Sequence, residues 1–305
     1  MECGEKRDIK PAIKKANPFE KDHAKGILHA VIAVFCLSLT PALVKGAISA
    51  GIDPTSLLTM RMVVASVVLW SVFLLFFPSA AAIDGKGLIG CLCVALANAS
   101  GLLCYYTALT RINASVAHVI FSLFPLIALV MLAFKGEPMS ALKLLRLTLA
   151  LIGVYMLVKP GGRIDLVGVA LVLLTAIFYA LHMNLTHWYL KDYSPKTVAL
   201  YVVSFMALIM SLIYIIRFDT YQALTVSAWM VILITGLLST AVARIAMFGA
   251  IKYIGSGQTA LLCPAETVLA VLWAILFLGE RLSWIQVIGG SLILASSSLV
   301  LKSRL

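Results

Sequence analysis

The chain contains ten long stretches of mainly apolar residues, and these stretches restrict it to one kind of fold. A transmembrane helix requires about 20 mainly apolar residues to cross the hydrocarbon core of a bilayer. Such stretches occupy residues 27–50, 55–77, 87–110, 114–134, 141–159, 166–187, 196–216, 226–251, 257–279 and 283–302. Short connections rich in turn-forming residues join them. The sequence therefore predicts an all-α integral membrane protein with ten transmembrane helices.

The composition agrees with a membrane protein and excludes a soluble one. Hydrophobic residues make up 62% of the chain and charged residues 12%, whereas soluble domains carry about 25% charged residues. The net charge of +11 does not indicate a nucleic-acid partner, because the basic residues lie in short loops and in the first 25 residues. The cysteines lack the spacing of a metal site, so we expect no metal and no cofactor.

The distribution of Lys and Arg predicts which loops face the cytoplasm. With the N-terminus placed inside, sixteen Lys and Arg residues fall on the cytoplasmic side and five on the opposite side, as the positive-inside rule predicts. Residues 1–26 then form a basic cytoplasmic tail, and both termini are cytoplasmic. The first apolar run is too long for a cleavable signal peptide. We expect a multi-pass protein of the plasma membrane, the inner membrane of the cell.

The two halves of the chain look like copies of one unit. Gly136-Glu137 and Gly279-Glu280 lie 143 positions apart, and each pair closes an apolar stretch before a short turn. The copies cover residues 27–159 and 166–302, with five spans in each. Because five is odd, the second copy must be inverted relative to the first. Inverted repeats are typical of secondary transporters, whose substrate site lies near the membrane midplane; a duplicated membrane scaffold is the alternative.

Several segments carry a resemblance to a known family. They are Arg61 within 58–62, residues 106–109, Pro125 followed by 136–137, 276–282, and 288–294. With the duplicated five-span unit, they make the chain resemble the ten-helix EamA-type branch of the drug/metabolite transporter superfamily. The resemblance implies a monomeric or weakly dimeric transporter that alternates access, with substrates ranging from amino acids to drugs. The ninth span departs from the family pattern, because Glu266 is followed by Thr267 rather than by proline.

Two charged residues deep in neighbouring spans are the first candidates for a substrate site. Glu266 lies roughly 14 Å into the ninth span, and Arg244 roughly 10 Å from the inner end of the eighth. Because a tight turn joins these spans, a Glu266–Arg244 ion pair is geometrically plausible. Ionisable groups at this depth usually face a cavity or a partner. The pair either holds a zwitterionic or charged substrate, or is a static salt bridge that orders two helices.

Other polar and aromatic residues in the spans complete the candidate substrate site. They are Asn98, His118, His182, Tyr105 and Tyr179. Each has an alternative role, because amide and imidazole groups within a membrane also serve as hydrogen-bonding links between helices.

Two further basic residues and three prolines interrupt the apolar spans. Lys45 is expected to extend its ammonium group to the membrane interface, and Arg61 to have a structural partner. Pro41, Pro125 and Pro264 are expected to interrupt helices, either as hinges near the substrate site or as fixed bends.

The sequence therefore predicts a secondary transporter, with export the favoured direction, for a small metabolite such as an amino acid or a related polar compound. A membrane scaffold or receptor and a lipid-acting membrane enzyme are the alternatives. An enzyme is disfavoured because no cluster of nucleophiles, bases or metal ligands is present. The expected partners are the substrate, the lipid bilayer and a coupling proton or ion, but no nucleic acid, and the chain is expected to be a monomer or homodimer.

Reporter fusions test the predicted topology. Fusions in the loops near residues 85, 138, 191 and 254, and at both termini, should report the cytoplasm, because the positively charged loops stay inside. Fusions near residues 52 and 112 serve as controls and should report the opposite side. A C-terminus on the non-cytoplasmic side would require an odd number of spans and contradict the two five-span copies.

Overall fold

The computed structural model describes residues 18–133, 165–216, 225–260 and 263–298, together with 145, 148, 149, 152, 153, 155 and 156. Within these residues the fold is helical. The helices are α1 Pro18–Ser38, α2 Thr40–Ser49, α3 Pro54–Phe76, α4 Gly85–Leu109, α5 Ala114–Phe121, α6 Phe124–Ala133, α7 Leu166–Tyr189, α8 Pro195–Ile216, α9 Val226–Gly236, α10 Ala243–Ala260, α11 Cys263–Leu278 and α12 Trp284–Ser298. A π-helical segment, Leu237–Val242, joins α9 to α10.

The helices follow the predicted spans over the described part of the chain. Six continuous segments are long and apolar enough to cross a membrane, and three shorter apolar helices accompany them. The shorter ones fall in the predicted spans 114–134, 257–279 and 283–302. The predicted span 141–159 lies mostly outside the described residues. Both the length and the apolar composition of the helices thus agree with a membrane protein.

Short polar side chains at the loop ends determine where several helices begin. Asp53 accepts a hydrogen bond from the Ser56 amide at 2.7 Å at the start of α3. Asp84 accepts one from the Gly87 amide at 3.0 Å at the start of α4. The Tyr193 hydroxyl also donates to Asp84, at 2.5 Å, and this bond holds the pKa of the carboxyl below its usual value. These caps satisfy amides that have no partner within the first helical turn.

The first helix begins earlier than the sequence predicts. Residues 18–26 were assigned to the basic tail, but they belong to α1. Lys25 binds Asp22 at 3.0 Å, one turn away, and its ammonium lies 5.9 Å from the Tyr253 ring centre. These contacts let a charged segment continue the helix beyond the apolar stretch. The helix therefore extends into the predicted basic tail, whose cytoplasmic location stays a prediction.

Two close helix crossings repeat the same contact in the two halves. Helix α4 packs along α7, and α1 packs along α10. A Cβ added at Gly168 would lie 2.8 Å from Ile112 Cγ2, and one added at Gly26 would lie 2.5 Å from Ile254 Cγ2. Gly168 lies 142 positions after Gly26, and Ile254 lies 142 positions after Ile112. The two contacts therefore pair residues that correspond between the two halves. A side chain at either glycine would overlap the facing isoleucine, so the close packing requires glycine.

Lys45 and Glu280 bind helix ends at the junction between α4 and α5. Lys45 Nζ donates to the carbonyls of Leu109 at 2.6 Å and Ile112 at 3.1 Å, so it does not extend to the lipid interface as expected. These carbonyls carry the negative end of the α4 dipole and attract the ammonium. Glu280 accepts hydrogen bonds from the amides of Ala114 at 2.8 Å and Ser115 at 3.0 Å, which begin α5.

Replacing Glu280 tests this cap. In Glu280→Ala the first two amides of α5 lose their acceptor, and an N-cap of this kind contributes about 1 kcal/mol. We expect the thermal unfolding midpoint in detergent to fall by about 2–4 °C. Arg281→Ala, which removes the exposed neighbouring side chain, should leave the midpoint unchanged. Equal midpoints for wild type and Glu280→Ala would show that the cap does not stabilise α5.

Candidate functional site

A cavity lies among the helices of both halves of the chain. Its free space amounts to about 560 Å³, including the part that is open to the outside. It is lined by Leu37, Thr40, Pro41, Arg61, Asn98, Gly101, Leu102, Tyr105, His118, Phe121, Thr175, Tyr179, Arg244 and Glu266. The wall combines apolar and aromatic surface with a few polar groups, the usual character of a small-molecule site.

The structure brings most of the sequence candidates to this cavity. Six of the seven line it, from five helices: Asn98, Tyr105, His118, Tyr179, Arg244 and Glu266. The seventh, His182, lies behind the wall, fully buried, with Nε2 at 3.5 Å from Arg244 Nη1. Residues that are far apart in sequence therefore surround one space.

Breaks in two helices lie beside the cavity. Pro41 and Pro125 are each the second residue of a helix that follows a break, α2 and α6. Pro264 is the second residue of α11, and the two residues before that helix, 261–262, lie outside the described part of the chain. Since proline has no N–H, it removes the intrahelical donor from the carbonyl four residues earlier. For Pro41 and Pro125 these carbonyls belong to Leu37 and Phe121, which line the cavity. The interruptions predicted at Pro41 and Pro125 are thus present and lie at the cavity, whereas the one predicted at Pro264 adjoins residues outside the described ranges.

Arg244 is buried against neutral partners. Its Nη2 donates to Asn98 Oδ1 at 3.1 Å, and its Nη1 lies at the hydrogen-bonding limit from His182. The side chain is 2% exposed, and its Nε has no hydrogen-bond partner. A guanidinium held in this way is fixed in position while one of its donors remains available.

Glu266 faces His118 rather than Arg244. Glu266 Oε1 lies 3.5 Å from His118 Nε2, and Tyr105 Oη lies 3.2 Å from the other imidazole nitrogen, Nδ1. The expected Glu266–Arg244 ion pair is absent from the described residues, although both side chains line the cavity. The physical reason is that α4 and α5 supply a closer partner to each of them, Asn98 to Arg244 and His118 to Glu266.

Aromatic rings form one wall of the cavity. The Phe121 ring centre lies 5.0 Å from that of Tyr179 and 5.9 Å from that of Tyr105. Tyr179 also donates a hydrogen bond to Met247 Sδ at 3.2 Å. These edge-to-face and tilted contacts pack α4, α5 and α7 together and leave apolar surface for a bound molecule.

Arg61 is a cavity residue that the sequence assigned only a structural partner. Its Nε donates to Thr240 Oγ1 at 2.7 Å, its Nη1 to the Tyr106 hydroxyl at 2.6 Å and its Nη2 to the Ser239 carbonyl at 3.1 Å. Thr240 and Ser239 belong to the π-helical segment, which precedes Arg244. Single-turn π-helical segments frequently occur at functional sites. The depth of Arg61 in its span was the sequence signal that its guanidinium lies inside the protein, beside the cavity.

Several polar atoms at the cavity have no hydrogen-bond partner. They are Thr40 Oγ1, Asn98 Nδ2, His118 Nε2 and Arg244 Nε. Buried polar groups are normally hydrogen-bonded, and each exception requires an explanation. Across the described ranges, no three His, Cys, Asp or Glu side chains come together as a metal site requires.

Known proteins resemble this chain over most of its length. "Uncharacterized transporter YcbK" from Bacillus subtilis (strain 168) is 24% identical over 286 residues, which are 88% of this chain and 90% of that protein. An "Uncharacterized transporter" from Archaeoglobus fulgidus is 25% identical over 191 residues, which are 63% of this chain and 68% of that one. A protein of known crystal structure shares the fold with a TM-score of 0.67 at 17% identity, covering 92% of this chain and 98% of its own.

A family model identifies the two halves of the chain individually. The model of the EamA-like transporter family matches residues 24–159 and again residues 166–302. The resemblance drawn from the sequence is thereby confirmed, as is the prediction of a multi-pass membrane transporter rather than an enzyme. The chain belongs to the EamA-like transporter family and contains two EamA domains.

Proposed function

We propose that the protein is a secondary transporter that moves a small polar metabolite, such as an amino acid or a related compound, by alternating access, with export the expected direction. The observation that carries the proposal is the cavity itself. Both EamA domains contribute to it, Asn98 and His118 from the first and Arg244 and Glu266 from the second. A site shared by two repeats can be exposed to either side of the membrane when the repeats move against each other.

We infer that the two domains, 27–159 and 166–302, are inverted repeats of five spans each. One observation supports this inference. The contact of Gly168 with Ile112 and that of Gly26 with Ile254 involve residues that correspond at a single sequence offset. The first contact lies where α4 meets α7, and the second where α1 meets α10.

Arg244 is the residue with which we test transport. In Arg244→Gln the charged donor that faces the cavity is lost while the length of the side chain is approximately kept. Hydrogen bonds to charged groups contribute about 1.5–3 kcal/mol, so flux should fall by roughly one to two orders of magnitude. The measurement is efflux from proteoliposomes loaded with a mixture of amino acids and small organic acids, quantified by mass spectrometry.

Two further variants separate a transport role from a structural one. Arg281→Gln removes an exposed cation away from the cavity and should keep wild-type flux. The charge swap Arg244→Glu with Glu266→Arg should not restore flux, because the two side chains bind different partners, Asn98 and His118. Rescue by the swap would support a static salt bridge, and wild-type flux in folded Arg244→Gln would remove Arg244 from the mechanism.

We propose the His118–Glu266 pair as the place where a coupling proton is carried. The two side chains are 3.5 Å apart and buried, and Tyr105 contacts the second imidazole nitrogen. Histidine titrates near neutral pH in water, and a carboxylate in contact with it offers a second proton acceptor. A proton exchanged here would be exposed to the same side of the membrane as the substrate.

Coupling predicts a response to a pH gradient. With the membrane voltage clamped, efflux from proteoliposomes should accelerate when the outside is more acidic, because protons enter as substrate leaves. His118→Asn should lose this acceleration but retain exchange of substrate between equal pH values. Identical acceleration in wild type and His118→Asn would contradict a role for this pair in coupling.

A further inference from the structure

The cavity carries more positive than negative charge. Among the described residues that line it, those whose side chains carry a formal charge are Arg61, Arg244 and, as a carboxylate, Glu266. The three hydrogen bonds of Arg61 go to a hydroxyl of Thr240, a hydroxyl of Tyr106 and a backbone carbonyl. All of these partners are neutral. With a neutral His118, the cavity therefore has one positive charge in excess.

Within the described part of the chain, two neighbouring pairs of charged groups do not cancel this excess. Lys45 and Glu280 interact electrostatically with each other at the α4–α5 junction, so their charges offset one another. Arg111 and Asp165 form an ion pair at 2.7 Å between the start of α7 and the end of α4. Each of these pairs is neutral as a whole. The excess positive charge therefore remains with the two arginines inside the cavity.

A buried charge without a counterion is energetically costly, particularly within a membrane. Arg61 and Arg244 also lie within electrostatic range of each other, so each raises the cost of the other. The free hydrogen-bonding atoms next to them, Arg244 Nε and Asn98 Nδ2, are both donors. An arrangement of this kind is complementary to a ligand that brings negative charge and hydrogen-bond acceptors.

We propose that the substrate of this site is a small carboxylate with a net charge of −1, an inference that rests on the proposed transport function. Its carboxylate group binds at the Arg244 guanidinium and the Asn98 amide, which line the cavity and hold unsatisfied donors. Its remaining atoms lie against the rings of Phe121 and Tyr179. A zwitterion with no net charge would leave the excess positive charge uncompensated, whereas a monoanion neutralises the cavity. Amino acids with acidic side chains fall within this class, and their ammonium group would face Glu266.

Acid and amide forms of the same compound provide the test. Purified wild-type protein in detergent is heated with increasing concentrations of lactate or lactamide, succinamate or succinamide, aspartate or asparagine, and glutamate or glutamine. Within each pair the shapes match and the net charge is −1 or zero. At least one acid should raise the unfolding midpoint in a saturable manner, with an apparent affinity about tenfold or more above that of its amide.

Removing one positive and one negative charge from the cavity, in separate variants, makes the test more specific. Arg244→Gln should abolish the stabilisation by the acid. For lactate and succinamate, which carry no ammonium group, Glu266→Gln should strengthen binding by about tenfold, because it removes a negative charge from the same cavity and charges interact strongly at the effective dielectric of a protein. Arg281→Gln, outside the cavity, should leave binding unchanged. Midpoints without ligand and size-exclusion profiles show whether each variant is folded.

Several outcomes would overturn the proposal. They are equal stabilisation by acid and amide, no stabilisation by any of the acids, or weaker binding of lactate or succinamate in folded Glu266→Gln. Transport fails separately: if an acid binds as predicted but does not move across proteoliposome membranes, the anion site stands and the transporter proposal is wrong.

Discussion

The arrangement of the site depends on one buried guanidinium, that of Arg61. Its hydrogen bonds connect α3 to the π-helical segment through Thr240 and Ser239, and to α4 through Tyr106. The same π-helical segment leads directly into α10, which carries Arg244, while α4 carries Asn98. In a membrane these hydrogen bonds have no water to compete with them. The position of the Arg244–Asn98 contact is therefore linked to Arg61, although Arg61 is distant from it in sequence.

The sequence predicted much of the fold because the membrane imposes simple rules. Apolar length identifies helices in lipid, and the described helices follow the predicted spans. The recurrence of Gly-Glu at one offset identified the duplication that the family match confirms. Charged residues in apolar spans are rare enough to stand out, so Arg244 and Glu266 could be selected as cavity residues before their surroundings were known.

The partners of these residues were beyond the reach of the sequence. Depth along a span can be estimated from the rise per residue, but the direction of a side chain depends on helix rotation and on local breaks. The π-helical segment before Arg244 changes that rotation, and Asn98 and His118 come from helices whose packing no short-range pattern specifies. Lys45 was misassigned for a similar reason, since the carbonyls it binds become available only where α4 ends.

The close contacts at Gly26 and Gly168 hold two pairs of helices together more rigidly than the helices around them. Where a glycine packs directly against the side chain of a facing isoleucine, the helices have little freedom to slide or rotate. Helices α4 and α7 should thus move as one body, and α1 and α10 as another, with the proline-interrupted segments between them absorbing the difference. If the repeats are inverted, these two helix pairs are equivalent units that face opposite sides of the membrane. A bulkier residue at Gly26 would then strain the contact between α1 and α10, and one at Gly168 the contact between α4 and α7. The two substitutions, made separately, should favour conformations that are open to opposite sides of the membrane.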